Sequence, residues 1–97
     1  MKTMEEIQEI LKARKEELGK RYGVKEIGIF GSYVKGLQKK RSDIDVLVEF
    51  EEVPDLLKLI ELERCLQRFL GKKVDLVRKQ ALRAELKETI LNEVVII

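Results

Sequence analysis

Two short apolar runs joined by a brief connector limit this chain more than any other feature. Residues 25–30 (Lys-Glu-Ile-Gly-Ile-Phe) and 44–50 (Ile-Asp-Val-Leu-Val-Glu-Phe) are rich in β-branched and aromatic residues and read as strands. Between them lie Gly31-Ser32, about one helical turn over 33–36, and a polar stretch over 37–42 centred on Lys39-Lys40-Arg41. That link has no room for a covering helix, so an antiparallel pair is easier than a parallel crossover.

The flanking segments complete the pattern. Met4, Ile7, Leu11, Leu18 and Tyr22 recur at helical spacing, and Gly23 is placed to stop that helix. Pro54 suits a helix start, and Leu56, Leu59, Leu62, Leu66 and Phe69 mark a helix over 55–70. Leu57, Ile60 and Leu70 widen its apolar face, so this helix is expected to be well buried, with Gly71 ending it. A third strand is expected over 73–77, and Leu82, Leu86 and Ile90 predict a last helix over 81–93. A full helix between the second and third strands suits a right-handed parallel crossover. The expectation is a single α/β (α+β) domain over 1–97, a small mixed sheet flanked by about four helices. The tail Val94-Val95-Ile96-Ile97 fits a short edge strand, with a partner-binding patch as the other reading.

Composition removes several function classes. The chain has 97 residues, 20 Lys+Arg against 18 Asp+Glu, and no histidine. A net charge of +2 is too balanced for bulk electrostatic nucleic-acid binding. Without histidine there is no Ser-His-Asp triad, no Cys-His pair and no histidine-ligated zinc. The lone Cys65 cannot form an internal disulfide and reads as a small buried hydrophobe. No apolar run approaches a membrane span, and the N-terminus lacks a signal-peptide core. The expectation is a soluble cytoplasmic protein.

In that topology the end of the first strand, at Gly31-Ser32, lies beside the starts of the second and third, at Asp43, Asp45 and Asp75. Asp43 and Asp45 share one strand face roughly 6.6 Å apart, with Ile44 turned to the core. Two like charges on one face suit a strand mouth where cations sit between them, although Asp-x-Asp also marks ordinary strand entries. Three aspartates without histidine favour Mg²⁺ or Mn²⁺ over zinc, and two such ions would serve an in-line phosphoryl displacement. Gly31 allows close backbone approach to a phosphate, and Ser32 at a helix start offers a hydroxyl beside free N–H groups. A plain turn is the other reading of that pair. Tyr33 suits stacking on a base or packing, and Lys35, Lys39, Lys40 and Arg41 suit either phosphate pairing or a solvated loop.

Gly31-Ser32, ten residues, then Asp43-Ile44-Asp45, with Asp75 further on, resembles the minimal nucleotidyltransferases of the DNA polymerase beta superfamily. The likeness extends through 31–36, 41–50, 73–77 and the apolar end. It implies the polymerase-beta-like nucleotidyltransferase fold. It implies that Gly31 and Ser32 hold the triphosphate of ATP; Arg41, from its place on the basic connector beside them, is expected as a further nucleotide contact. It implies that Asp43, Asp45 and Asp75 are catalytic and bind Mg²⁺, as two ions, with Mn²⁺ as the alternative. Asp75 would serve the attacking hydroxyl. The chain is too short to grip primer and template, so no templated nucleic acid is expected. Stand-alone members of this size pair with HEPN-domain toxins. The resemblance therefore implies an antitoxin that moves AMP from ATP to a protein hydroxyl, a toxin tyrosine. The alternatives are an antitoxin that acts by binding alone, and a transferase acting on a small molecule or an RNA end.

Overall fold

A computed structural model describes residues 2–97. Helix α1 (Met4–Tyr22) opens with a capping box. The Thr3 hydroxyl accepts from the Glu6 N–H, and the Glu6 carboxylate accepts from the Thr3 N–H. It closes on Gly23 at φ 70°, the left-handed stop expected there. Strand β1 (Val24–Phe30) leads through Gly31 into the single turn α2 (Ser32–Lys35), and strand β2 (Ile44–Phe50) follows. Helix α3 (Leu56–Leu70) is capped by the Asp55 carboxylate, which accepts from the Lys58 N–H at 2.9 Å. Strand β3 (Val74–Arg78), a 3-10 turn (Lys79–Ala81), helix α4 (Ala84–Glu93) and strand β4 (Val95–Ile96) complete the chain.

The sheet order is β3-β2-β1-β4. Strand β1 pairs antiparallel with β2 and with β4, whereas β2 pairs parallel with β3. Both connection arguments therefore hold: the short link made a hairpin-like pair, and the long helix made a crossover. The tail is the expected edge strand, and the Ile97 N–H donates to the Ile27 carbonyl at 2.9 Å.

Alternation divides the sheet into two faces. Ile27, Ile29, Ile44, Val46, Val48, Phe50 and Val74 join Ile7, Leu11 and Leu18 of α1 and Leu62, Leu66 and Leu70 of α3 in one buried cluster. Asp45, Leu47 and Glu49 point to the opposite face. Cys65 is buried in the cluster, as its leucine-rich surroundings suggested.

Two expectations need correction. Helix α3 is not buried all round, because Leu56 (70% exposed), Leu57 (78%) and Ile60 (41%) face outward. The side carrying Leu59, Leu62, Cys65, Leu66, Phe69 and Leu70 meets the core, since α1 and the sheet lie on one side of the helix alone. The last helix starts later than the leucine spacing implied. The 3-10 turn and an extended Arg83 (φ −65°, ψ 142°) place Leu82 outside it.

Gly28 is where β4 crosses close to β1. A Cβ there would fall 2.7 Å from Val94 Cγ2 and 3.0 Å from the Val95 carbonyl. Gly28→Ala is expected to lower stability by about 1–3 kcal/mol through overpacking. Denaturant titration checks this, together with loss of amide-exchange protection at Ile97.

Candidate functional site

The site lies where β1 ends and β2 and β3 begin. Gly31 leaves β1 at φ 78°, ψ −149°, a backbone region that essentially only glycine occupies. It also touches Asp45. A Cβ on Gly31 would land on Asp45 Oδ2 and 2.9 Å from its Cγ. Two independent constraints, torsional and steric, thus require glycine here. Both bring the backbone turn against the second carboxylate of the Asp-x-Asp pair.

The turn α2 begins at Ser32, one residue earlier than the spacing implied. Gly31 therefore occupies the N-cap position without a side-chain cap, and Ser32 is the first helical residue. Its hydroxyl is not spent on capping, and the helix-start N–H groups of Ser32 and Tyr33 have no intrahelical acceptor. The Gly31 N–H is different, since it donates to Glu93 Oε1 at 2.6 Å. Gly31 thus contributes space to the site, while its donor is already engaged. The other Glu93 oxygen faces Lys35 Nζ at 3.4 Å.

The aspartates are brought to the same end of the sheet. Asp45 sits opposite Asp75 in the parallel β2–β3 register and opposite Phe30 across β1. Asp43 precedes β2. Asp43 and Asp75 are exposed, whereas Asp45 is half-buried. Burial, then the charges of Asp75, Asp43 and Glu93, push the Asp45 carboxyl above its ordinary value. Four carboxylates thus share one field with Asp45 at its centre.

They form a charge cluster and not a finished cage. Among the described residues, no three Asp, Glu, Cys or His side chains are grouped so as to hold a metal ion on their own. The three-aspartate pocket expected from sequence is in that respect more open than anticipated. The donor set still fits Mg²⁺: the groups are hard oxygens, and the negative field on Asp45 is uncompensated. Magnesium is ordinarily held by one or two carboxylates together with substrate phosphates, not by an all-protein shell.

The remaining candidates separate clearly. Tyr33 is 2% exposed and packs into the core, with its hydroxyl lacking a partner among the described residues. Stacking on a base is therefore not its role. Arg41 is exposed and enters no ion pair among the described residues. The connector carrying it is tethered locally. Lys72 Nζ donates to the Lys40 carbonyl at 2.8 Å, and the Lys39 N–H donates to Ser42 Oγ at 2.8 Å. Glu93 escaped the sequence reading. Its only sequence signal was a carboxylate in the last turn of a helix, just ahead of the apolar tail, and nothing in that position announces a contact 62 residues away.

The chain is similar to known proteins along nearly its whole length. The family model described as "Nucleotidyltransferase domain" matches residues 7–97. Protein adenylyltransferase MntA of Thermococcus cleftensis is 57% identical over 95 residues, spanning 98% of this chain and 96% of that protein. A toxin–antitoxin crystal structure with AMP-PNP aligns at TM-score 0.71 and 27% identity, covering 87% of this chain and 69% of that one. A complex of tri-AMPylated Shewanella oneidensis HEPN toxin with its MNT antitoxin aligns at TM-score 0.68, covering 93% and 70%. At 23% identity, that last likeness is one of fold. Among the described residues, no helix is long and apolar enough to cross a membrane.

Proposed function

The chain belongs to the nucleotidyltransferase domain family, and from that premise we propose that it transfers AMP from ATP to a hydroxyl of a HEPN-domain toxin, acting as its antitoxin. The acceptor in this reading is a tyrosine. The observation that carries the reading is the contact between Gly31 and Asp45: a turn only glycine can make is pressed against a half-buried carboxyl that burial and the charges of Asp75, Asp43 and Glu93 push up. The 57% identity to a protein adenylyltransferase supports the choice of AMP and of a protein acceptor.

Each residue has a part. The Ser32 hydroxyl and the free N–H groups at the start of α2 receive the triphosphate. Gly31 keeps that turn clear of a side chain. Arg41, exposed on the connector, pairs with phosphate oxygens. Asp43, Asp45 and Asp75 would hold Mg²⁺, as two ions, with Mn²⁺ able to substitute. Bound there, the metal supplies neutralisation of the charge on the phosphates. The acceptor oxygen forms a bond to the α-phosphorus, the α–β bridging bond breaks, and pyrophosphate leaves. Asp75, exposed at the mouth, takes the hydroxyl proton. Asp43 and Asp75 both face solvent, which leaves room for an acceptor presented by another protein. Residues 1–97 act as one domain in this account, in the cytoplasm, where ATP is at hand.

The test uses ATP labelled at the α- or γ-phosphate, Mg²⁺ and the HEPN toxin. Label from the α-position is expected on the toxin and label from the γ-position is not. Neutralisation of the toxin without transfer of either label would replace this reading with antitoxin action by binding alone.

A further inference from the structure

The end of α4 reaches into the site by one side chain, and nothing in the roles above uses it. Glu93 is the last residue of that helix, and its side chain is 16% exposed. One oxygen accepts from the Gly31 N–H at 2.6 Å, and the other faces Lys35 Nζ at 3.4 Å. The carboxylate thus ties both ends of the Gly31–α2 turn to the C-terminal segment. A short bond from a backbone N–H to an ionised carboxylate is among the stronger hydrogen bonds a protein makes. It acts at the residue whose torsions only glycine tolerates, at the point where β1 gives way to the turn.

The backbone of Glu93 is held by other means. Val94 caps α4 through its N–H to the Ile90 carbonyl, and β4 pairs with β1 at Gly28 and Ile29. Removing the carboxylate therefore leaves its supporting segment in place.

We propose that Glu93 is a positioning residue of the transfer site, whose carboxylate holds the Gly31-Ser32 turn in the geometry that receives the nucleotide phosphates. The proposal rests on the adenylyltransferase reading of that site. It gives α4 and β4 a function beyond completing the sheet, because they carry the restraint that shapes the phosphate-binding turn. It also predicts which atom matters. The Gly31 N–H needs an acceptor oxygen at Glu93, and an amide oxygen supplies one.

The experiment compares Glu93→Ala and Glu93→Gln with the unmodified protein in transfer of AMP to the HEPN toxin, over a range of ATP concentrations. Thermal melts verify that each variant is folded. Glu93→Ala is expected to raise KM for ATP roughly tenfold, with a smaller fall in kcat, as expected when a phosphate-binding element loses its geometry. Glu93→Gln is expected to recover most of that loss. Unchanged or lowered KM in Glu93→Ala would overturn the proposal, the lowered value showing that Glu93 instead competes with phosphate for the Gly31 N–H. Equal impairment of both variants would also overturn it. Asp45→Asn, run in parallel, separates the two layers: full transfer there would defeat the site assignment itself, whatever Glu93 does.

Discussion

Asp45→Asn is expected to cut AMP transfer by at least about a hundredfold while making the folded protein more resistant to heat. The two effects share one cause. Burial and the neighbouring charges of Asp75, Asp43 and Glu93 raise the Asp45 carboxyl above its ordinary value. The folded chain therefore holds that proton more tightly than the unfolded chain does. The stability this contributes is fully present below the unfolded value and is lost as pH rises through the raised folded value. Above that raised value the ionised group opposes folding, and asparagine, of similar shape, removes the opposition. Melting temperatures at pH 7 without divalent cation should rise in the variant, and the gap should narrow as pH is lowered through the raised value. Added Mg²⁺ and ATP should stabilise the unmodified protein more than the variant. A carboxylate kept where it costs stability is what a cation- and phosphate-binding role requires.

Gly31→Ala is the second large effect, and it should damage both properties. The new Cβ falls on Asp45 Oδ2 and close to Cγ, so either the carboxylate or the turn must move. The backbone at φ 78°, ψ −149° adds torsional strain for any side chain. A loss of about 1–3 kcal/mol in stability is expected from the strain alone, measurable by urea titration. Transfer should fall at least about a hundredfold, because the turn and Asp45 are displaced relative to each other. The contrast with Asp45→Asn is diagnostic: one variant loses activity and gains stability, and the other loses both.

Much of this architecture was legible in the sequence because its signals are local. Gly23 and Gly71 mark helix ends by their own backbone preferences and are the left-handed stops of α1 and α3, whereas Pro54 lies one residue ahead of the Asp55 cap and not inside the first turn of α3. Strand β2 was readable to the residue, since an Asp-x-Asp entry followed by an apolar run has few alternatives. The antiparallel and parallel pairings followed from connector length. What failed was set by packing partners. The outward exposure of Leu56, Leu57 and Ile60 depends on nothing covering the far side of α3, and no periodicity reports that. Leu82 kept helical spacing yet fell outside α4, because the 3-10 turn after β3 had its own hydrogen bond from the Leu82 N–H to the Lys79 carbonyl.

The site divides in the same way. Gly31, Ser32, Asp43, Asp45 and Asp75 were visible as a spaced motif, and the register brings Asp45 opposite Asp75. The direct Gly31–Asp45 contact, the burial of Tyr33 and the Glu93 bond are tertiary and left no pattern along the chain. The resemblance to minimal nucleotidyltransferases supplied the chemistry, and the contact at Gly31 supplied a physical reason for one of its glycines.

The most direct test of the site is amide and methyl NMR of this 97-residue chain titrated with AMP-PNP and Mg²⁺. The predicted result is that the largest perturbations fall at Gly31, Ser32 and Tyr33 and at the strand starts carrying Asp43, Asp45 and Asp75, and vanish in Asp45→Asn. Perturbations confined to the outer face of α3 around Leu57, Ile60 and Arg64, with the Gly31-Ser32 turn unmoved, would contradict it.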